Sequence, residues 1–184
     1  MPLDDATTCK CVVCRDYGDR ARLDAVDAGL VEHVADPGWG LLAIPEDHVS
    51  AGWTFTVGLW HSFRSPELAV FGLDPDSGMD LLNAIGDQVA AGLRLEAGSP
   101  VTVAGAAKLT LRPVDMGWHR AFFGTARGFY RATEPAVPFL QVLWPDPAGR
   151  FPTEDGFAAE YEPFQPRLWL EPTEHPRGPW TADL

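Results

Sequence analysis

The chain has 184 residues, 46% of them hydrophobic, with seven tryptophans and ten phenylalanines. This length and composition are typical of one folded domain and exclude a disordered chain, which would lack aromatic residues. The formal net charge is −12, from 26 acidic and 14 basic residues, which argues against nucleic acid and anionic membranes as partners, because both bind proteins through basic groups.

The first ten residues, MPLDDATTCK, contain neither the basic region nor the apolar run of a signal peptide. No stretch approaches the roughly 18 uninterrupted apolar residues of a membrane helix. We therefore expect a cytoplasmic protein with free thiols, since structural disulfides are rare in that compartment. The bias toward Arg, Ala, Gly and Pro is typical of a bacterial genome rich in G and C.

Residues 1–18 are polar, lack periodicity and predict an N-terminal tail. Apolar residues at helical spacing predict a flanking helix over 19–34, and Pro37-Gly38 ends it. Three short runs rich in strand-forming residues follow, at 39–44, 52–60 and 66–73. Their short connections favour an antiparallel meander.

The strongest helical pattern covers residues 77–97, with Ser77 as its cap and Gly98 at its end. Further strands are predicted in 101–114 and 137–146, and a short helix in 115–124. From Pro163 onward five prolines exclude regular structure and predict an extended tail over 163–184. The prediction is a single α+β domain over 19–162. Its largely antiparallel sheet of about five or six strands packs against the 77–97 helix.

Seven short motifs follow one another along the chain: Gly-Trp, Phe-Thr-Val-Gly-Leu, Pro-Glu-Leu, Gly-Leu, Leu-Gln, Trp-Pro-Asp and Gly-Arg-Phe-Pro. They occupy residues 38–39, 55–59, 66–68, 72–73, 140–141, 144–146 and 149–152. Together they resemble a bacterial family known as domain of unknown function 4262, over about residues 30–157. The resemblance implies a fold and a bacterial cytosolic setting, and it implies no reaction.

The chain departs from that family pattern at two positions. Family members often carry a histidine immediately before Pro-Glu-Leu, where this chain has Ser65, and His61 stands four residues earlier. Thr153 stands where the family has an aromatic residue. If the family histidine has a catalytic role, that role is either absent here or taken by His61.

All cysteines lie in the hexapeptide CKCVVC, as Cys9, Cys11 and Cys14. Zinc takes four tetrahedral ligands, commonly from paired cysteines. The three thiols therefore predict a zinc site whose fourth ligand is His33, His175 or another histidine brought near by folding. A turn is then required, because an extended strand would send Cys9 and Cys11 to opposite faces. Two alternatives remain open: an inert or merely reactive tail, and a Cys11/Cys14 redox pair.

A second group of polar side chains lies near the predicted strand ends. A histidine and a carboxylate within hydrogen-bond reach can perform acid–base chemistry. The catalytic candidates are His61, Glu67 and His119. The ligand-binding candidates are Arg64, Gln141, Trp144 and Asp146. The competing interpretation gives these residues ordinary solvated or hydrogen-bonded roles, since most loops at strand ends carry no site.

Several classes of enzyme are excluded because the sequence lacks their catalytic residues or motifs. Residues 144–146 match the Trp-Pro-Asp acid loop of tyrosine phosphatases, but no cysteine beyond Cys14 supplies their nucleophile. The glycine-rich nucleotide-binding loops, the zinc-protease helix and the serine-hydrolase elbow are also absent from the sequence.

Two functions remain open from the sequence. The first is a non-enzymatic zinc-binding module that acts through a protein partner. The second is an enzyme or small-ligand-binding protein with a polar pocket formed by His61, Glu67, His119 and Asp146. The identity of the partner or small molecule and the oligomeric state do not follow from the sequence.

Overall fold

The computed structural model describes residues 9–105 and 108–182. Its strands are β1 Gly40–Ile44, β2 Trp53–Val57, β3 Glu67–Phe71, β4 Pro100–Val101, β5 Leu109–Pro113 and β6 Phe139–Leu143. They form one six-stranded sheet in the order β1-β2-β3-β6-β5-β4. Every neighbouring pair is antiparallel except β3 and β6, which are parallel. The predicted α+β class with a largely antiparallel sheet is confirmed.

The α-helices are α1 Ala25–Ala35, α2 Leu59–Phe63, α3 Pro75–Ala90, α4 His119–Phe122 and α5 Gly124–Phe129. Short 3-10 helices lie at Arg20–Arg22, Met116–Trp118, Ala159–Phe164 and Pro179–Thr181. Within the described part of the chain, none of these helices has the length and apolar character needed to span a bilayer. Three stretches lie outside the described residues: 1–8 and 183–184 in the predicted tails, and 106–107 in the predicted 101–114 strand region.

Both long helices begin where an aspartate caps them. The Asp24 carboxylate accepts hydrogen bonds from the Val26 and Asp27 amides, so α1 begins at Ala25 instead of at residue 19. Asp74 caps α3 in the same way, which moves its start from the predicted Ser77 to Pro75. This helix ends at Ala90 rather than 97, because Gly92 adopts a left-handed backbone with φ of 105°.

The second predicted strand region and the later elements are shorter than the sequence suggests. The run 52–60 forms β2 and then turns into α2, because Gly58 has a φ of 121° that ends the strand. The predicted 137–146 strand is confined to Phe139–Leu143. The predicted 115–124 helix is a 3-10 turn followed by α4.

The two faces of the sheet are covered by different parts of the chain. Side chains alternate along β3, so Leu68 and Val70 join the core beneath α3, while Ala69 and Phe71 join the opposite core. That second core also contains residues 9–12, α1, α5 and the C-terminal segment. Glu67, two positions before Ala69, therefore lies on the same face as the N-terminal cysteines.

The C-terminal segment packs on this second core. Leu168 is fully buried, and its amide donates a hydrogen bond to the Gln141 side-chain oxygen. The Gln141 amide donates to the Pro166 carbonyl at 2.7 Å. Gln141, a ligand-binding candidate in the sequence, thus attaches the proline-rich segment to β6.

Candidate metal centre

The side chains of Cys9, Cys11, Cys14 and His61 lie together, with their ligand atoms all within 4.8 Å of one another. Nδ1 of His61 lies 3.3 Å from Sγ of Cys11, 3.3 Å from Sγ of Cys14 and 3.8 Å from Sγ of Cys9. Tetrahedral zinc, with Zn–S of about 2.3 Å and Zn–N of about 2.0–2.1 Å, separates its sulfur and nitrogen ligands by about 3.5 Å. The four atoms are close enough to hold one metal ion.

A tight turn brings the third thiol to the first two. The Arg15 amide donates a hydrogen bond to the Cys11 carbonyl at 3.0 Å, which closes the turn over residues 11–15. This is the turn that a single metal requires, because an extended strand would separate the thiols.

The cysteine segment is attached to the body of the domain by backbone hydrogen bonds. The Val12 amide donates to the Phe129 carbonyl of α5 at 3.0 Å. The Lys10 amide donates to the Thr133 hydroxyl, also at 3.0 Å. Cys11 is completely buried, and Cys9 and Val12 are buried as well. Cys9, Cys11 and Val12, which the sequence assigns to a tail, therefore contribute to the hydrophobic core.

Helix α2 presents His61 to the thiols, and Gly58 is the residue that allows it. A Cβ atom at Gly58 would lie 2.7 Å from the Val34 side chain and 2.8 Å from the Gly38 carbonyl oxygen. Only glycine accommodates both the positive φ and this close approach. The first turn of α2 is thus held tightly against the loop after α1.

Glu67 fixes the same turn from beneath. Its Oε1 accepts hydrogen bonds from the amides of Gly58 at 2.9 Å and Trp60 at 3.0 Å, and from the Tyr130 hydroxyl. Its Oε2 accepts from the Thr56 hydroxyl at 2.6 Å. The carboxyl is completely buried, and this burial raises its pKa, while the hydrogen bonds from Thr56 and Tyr130 act in the opposite direction. Through these hydrogen bonds, Glu67 links its own strand β3 to β2, to the start of α2 and to the residue that follows α5.

Burial and the neighbouring thiols shift the pKa values of all three cysteines. The hydrogen bond from Cys11 lowers the pKa of Cys9 to about 4. The same bond, followed by burial, raises the pKa of Cys11. Burial, followed by the charge on Cys9, raises the pKa of Cys14. A bound dication would stabilise the thiolate form of all three cysteines.

Of the options that the sequence left for the fourth ligand, His33 and His175 lie elsewhere, and the cluster contains another histidine brought near by folding, His61. Nδ1 of His33 lies 2.7 Å from the Gly29 carbonyl oxygen of its own helix. Nε2 of His175 accepts a hydrogen bond from the Arg167 amide at 3.0 Å. The fold instead supplies His61, from 47 residues beyond Cys14.

The ligand-binding candidates Arg64 and Trp144 hold local structure. Arg64 ends α2 with a φ of 56° and donates to the Trp60 and His61 carbonyls. The Trp144 indole donates to the Phe71 carbonyl at 2.8 Å.

Asp146 organises the turn after β6. Its carboxylate accepts hydrogen bonds from the amides of Ala148, Arg150 and Ala158. The bond from the Arg150 amide is the main cause that lowers the pKa of Asp146. Within the described residues, no hydrogen bond joins this carboxylate or that of Glu67 to His61 or His119.

His119 lies in α4, apart from the metal cluster. Its ring packs edge-on against Phe123 and Phe139, with centroid distances of 5.8 and 5.2 Å. Burial, followed by the charge of Arg127, lowers the pKa of His119. Its Nε2 is buried and has no hydrogen-bond partner within the described residues.

The fold and the cluster define a single α+β domain with a candidate Cys3His metal centre. The chain belongs to the family described as domain of unknown function (DUF4262), whose model matches residues 33–158. No curated protein and no solved structure matches the chain. The family predicted from the motifs is confirmed. The matched region contains His61, whereas the three cysteines precede it.

Proposed function

We propose that this protein is a zinc-binding module in which Cys9, Cys11, Cys14 and His61 hold one Zn²⁺. The observation that supports this most strongly is the convergence of three sulfurs and one imidazole nitrogen within 4.8 Å. Thiolate and imidazole ligands select zinc and other thiophilic metals, whereas magnesium and calcium prefer oxygen. Among residues 9–105 and 108–182, no carboxylate belongs to the cluster.

The proposed zinc is structural. Four protein ligands close the coordination shell, whereas catalytic zinc sites keep one position for water or substrate. The ion would link the 11–15 turn to α2, two parts of the chain that are distant in sequence. The zinc-stabilised domain would then act through a protein partner instead of by catalysis. A cytosolic location suits it, because the thiols remain reduced there.

Metal analysis tests the proposal directly. Protein purified without added metal is expected to contain about one equivalent of zinc per chain, because a closed Cys3His site binds zinc tightly. His61→Ala is expected to retain below about a tenth of an equivalent after dialysis against a weak chelator, since three ligands bind much more weakly than four. Inductively coupled plasma mass spectrometry measures both.

His33→Ala is the matched control. His33 also lies on a helix that packs near the sheet, but its Nδ1 lies 2.7 Å from the Gly29 carbonyl oxygen of that helix and not in the metal cluster. This variant is expected to keep the full equivalent of zinc. Less than a tenth of an equivalent of any transition metal in the wild-type chain would refute the proposal, as would equal losses in the two histidine variants.

A further inference from the structure

A cavity of about 680 Å³ lies on the α4–α5 side of the molecule, outside the metal cluster. Its wall includes His119, Arg120, Arg127, Arg131 and Phe139. Small-molecule sites commonly occupy about 300–1,000 Å³ and combine apolar walls with a few polar groups. The volume and lining of this cavity are within that range.

The charge at this cavity differs from that of the rest of the chain. The protein has 14 basic residues and a net charge of −12, yet three arginines line this one cavity, with Glu134 as its acidic member. Arg131 is paired with Asp19 at 2.7 Å. Arg120 and Arg127 form no ion pair within residues 9–105 and 108–182. Their guanidinium groups remain available for an anion, which they can bind through paired hydrogen bonds.

His119 is an independent indication of a ligand. The residue is only 5% exposed, and its Nε2 has no hydrogen-bond partner in the described part of the chain. Buried polar atoms are rarely left without a partner, because the loss of hydration is then uncompensated. Residue His119 lines the cavity, so a molecule bound there that reaches Nε2 would supply the missing partner.

We propose that this cavity binds a small organic anion, a carboxylate or phosphate attached to an apolar body. Arg120 and Arg127 contact the charged group, and Phe139 and Val137 contact the apolar body. His119 donates or accepts one hydrogen bond. This site is distinct from the proposed zinc centre and does not depend on the identity of the metal.

Calorimetric titration of the full, metal-loaded chain with two probe anions tests the proposal. The probes are phenyl phosphate and benzoate, and benzyl alcohol is the uncharged control. We expect saturable binding of at least one anion at one site per chain, and none of benzyl alcohol. The tighter of the two anions identifies the phosphate or the carboxylate as the preferred group.

Charge-removing variants locate the binding. Arg120→Gln and Arg127→Gln are each expected to weaken binding by about tenfold, the usual effect of losing one charged hydrogen bond. Arg94→Gln removes the same charge at an exposed residue outside the cavity lining and should leave the affinity unchanged. Equal weakening by Arg94→Gln would overturn the proposal, and so would a failure of both anions to bind saturably.

His119→Phe separates a ligand contact from a packing role. Phenylalanine preserves the aromatic packing against Phe123 and Phe139 and removes the unpartnered nitrogen, so the melting temperature should stay the same or rise. Binding of the preferred anion should nevertheless weaken several-fold. An unchanged affinity in this correctly folded variant would exclude His119 from the site and contradict the proposal.

Discussion

Replacing Cys11 with serine is expected to abolish stable zinc binding and to lower the melting temperature by about 10 °C. A ligand present at about a thousandfold over its dissociation constant stabilises a fold by about 4 kcal/mol. For a domain of this size, each kcal/mol changes the melting temperature by about 2–4 °C. Cys11 belongs to the cluster and is completely buried. Differential scanning calorimetry of the two proteins measures the shift.

Chelation distinguishes loss of the metal from loss of packing at Cys11. EDTA should lower the melting temperature of the wild-type chain by a similar amount and leave Cys11→Ser unchanged, because both act on one interaction. After metal removal, the Val12 amide, which donates to Phe129, should lose its protection from hydrogen exchange. A wild-type melting temperature that EDTA does not change would show that the segment is held without metal.

Replacing Glu67 with alanine is expected to destabilise the fold by about 4 kcal/mol. The change leaves the hydroxyls of Thr56 and Tyr130 and the amide of Trp60 without their acceptor, whereas the Gly58 amide keeps the Tyr130 hydroxyl oxygen at 3.0 Å. A buried donor without a partner costs about 1–3 kcal/mol, and the missing side chain also leaves a cavity. Urea denaturation with matched zinc concentrations measures the difference in free energy of unfolding.

Tyr130→Phe is the control for Glu67→Ala. It removes one of the donors to Glu67 and keeps the aromatic ring, so it should cost about 1–2 kcal/mol. Zinc affinity should also fall further in Glu67→Ala than in Tyr130→Phe, because Glu67 alone holds the Trp60 amide in the turn before His61. Equal stability of Glu67→Ala and the wild-type protein would show that the carboxyl does not organise α2.

The sequence predicted the parts of the fold that depend on local signals. The β1-β2-β3 meander follows from three strand-forming runs and their short connections, and the structure confirms both antiparallel pairings. The parallel pairing of β3 with β6 joins residues that are 72 apart, such as Glu67 and Phe139. No local pattern specifies such a contact. Helix α2 was also missed, because the positive φ of Gly58 interrupts a run whose composition favours a strand throughout.

The candidate site was predicted in part. Cysteine spacing indicated three metal ligands and the need for a turn, because both follow from tetrahedral geometry. The fourth residue of the cluster depends on α2, which the sequence did not predict. His61 was therefore named as an acid–base candidate beside Glu67. Alternation along β3 places Glu67 in the core, and its hydrogen-bond donors lie in β2, at the start of α2 and just after α5.

X-ray absorption at the zinc edge, on protein purified without added metal, tests the central claim most directly. The account predicts three sulfur neighbours at about 2.3 Å and one nitrogen neighbour at about 2.0–2.1 Å, from Cys9, Cys11, Cys14 and His61. In His61→Ala, the spectrum should lose the nitrogen neighbour that His61 supplies, or the protein should lose its zinc. A first shell of oxygen and nitrogen without sulfur, or the absence of zinc from the purified protein, would contradict the account.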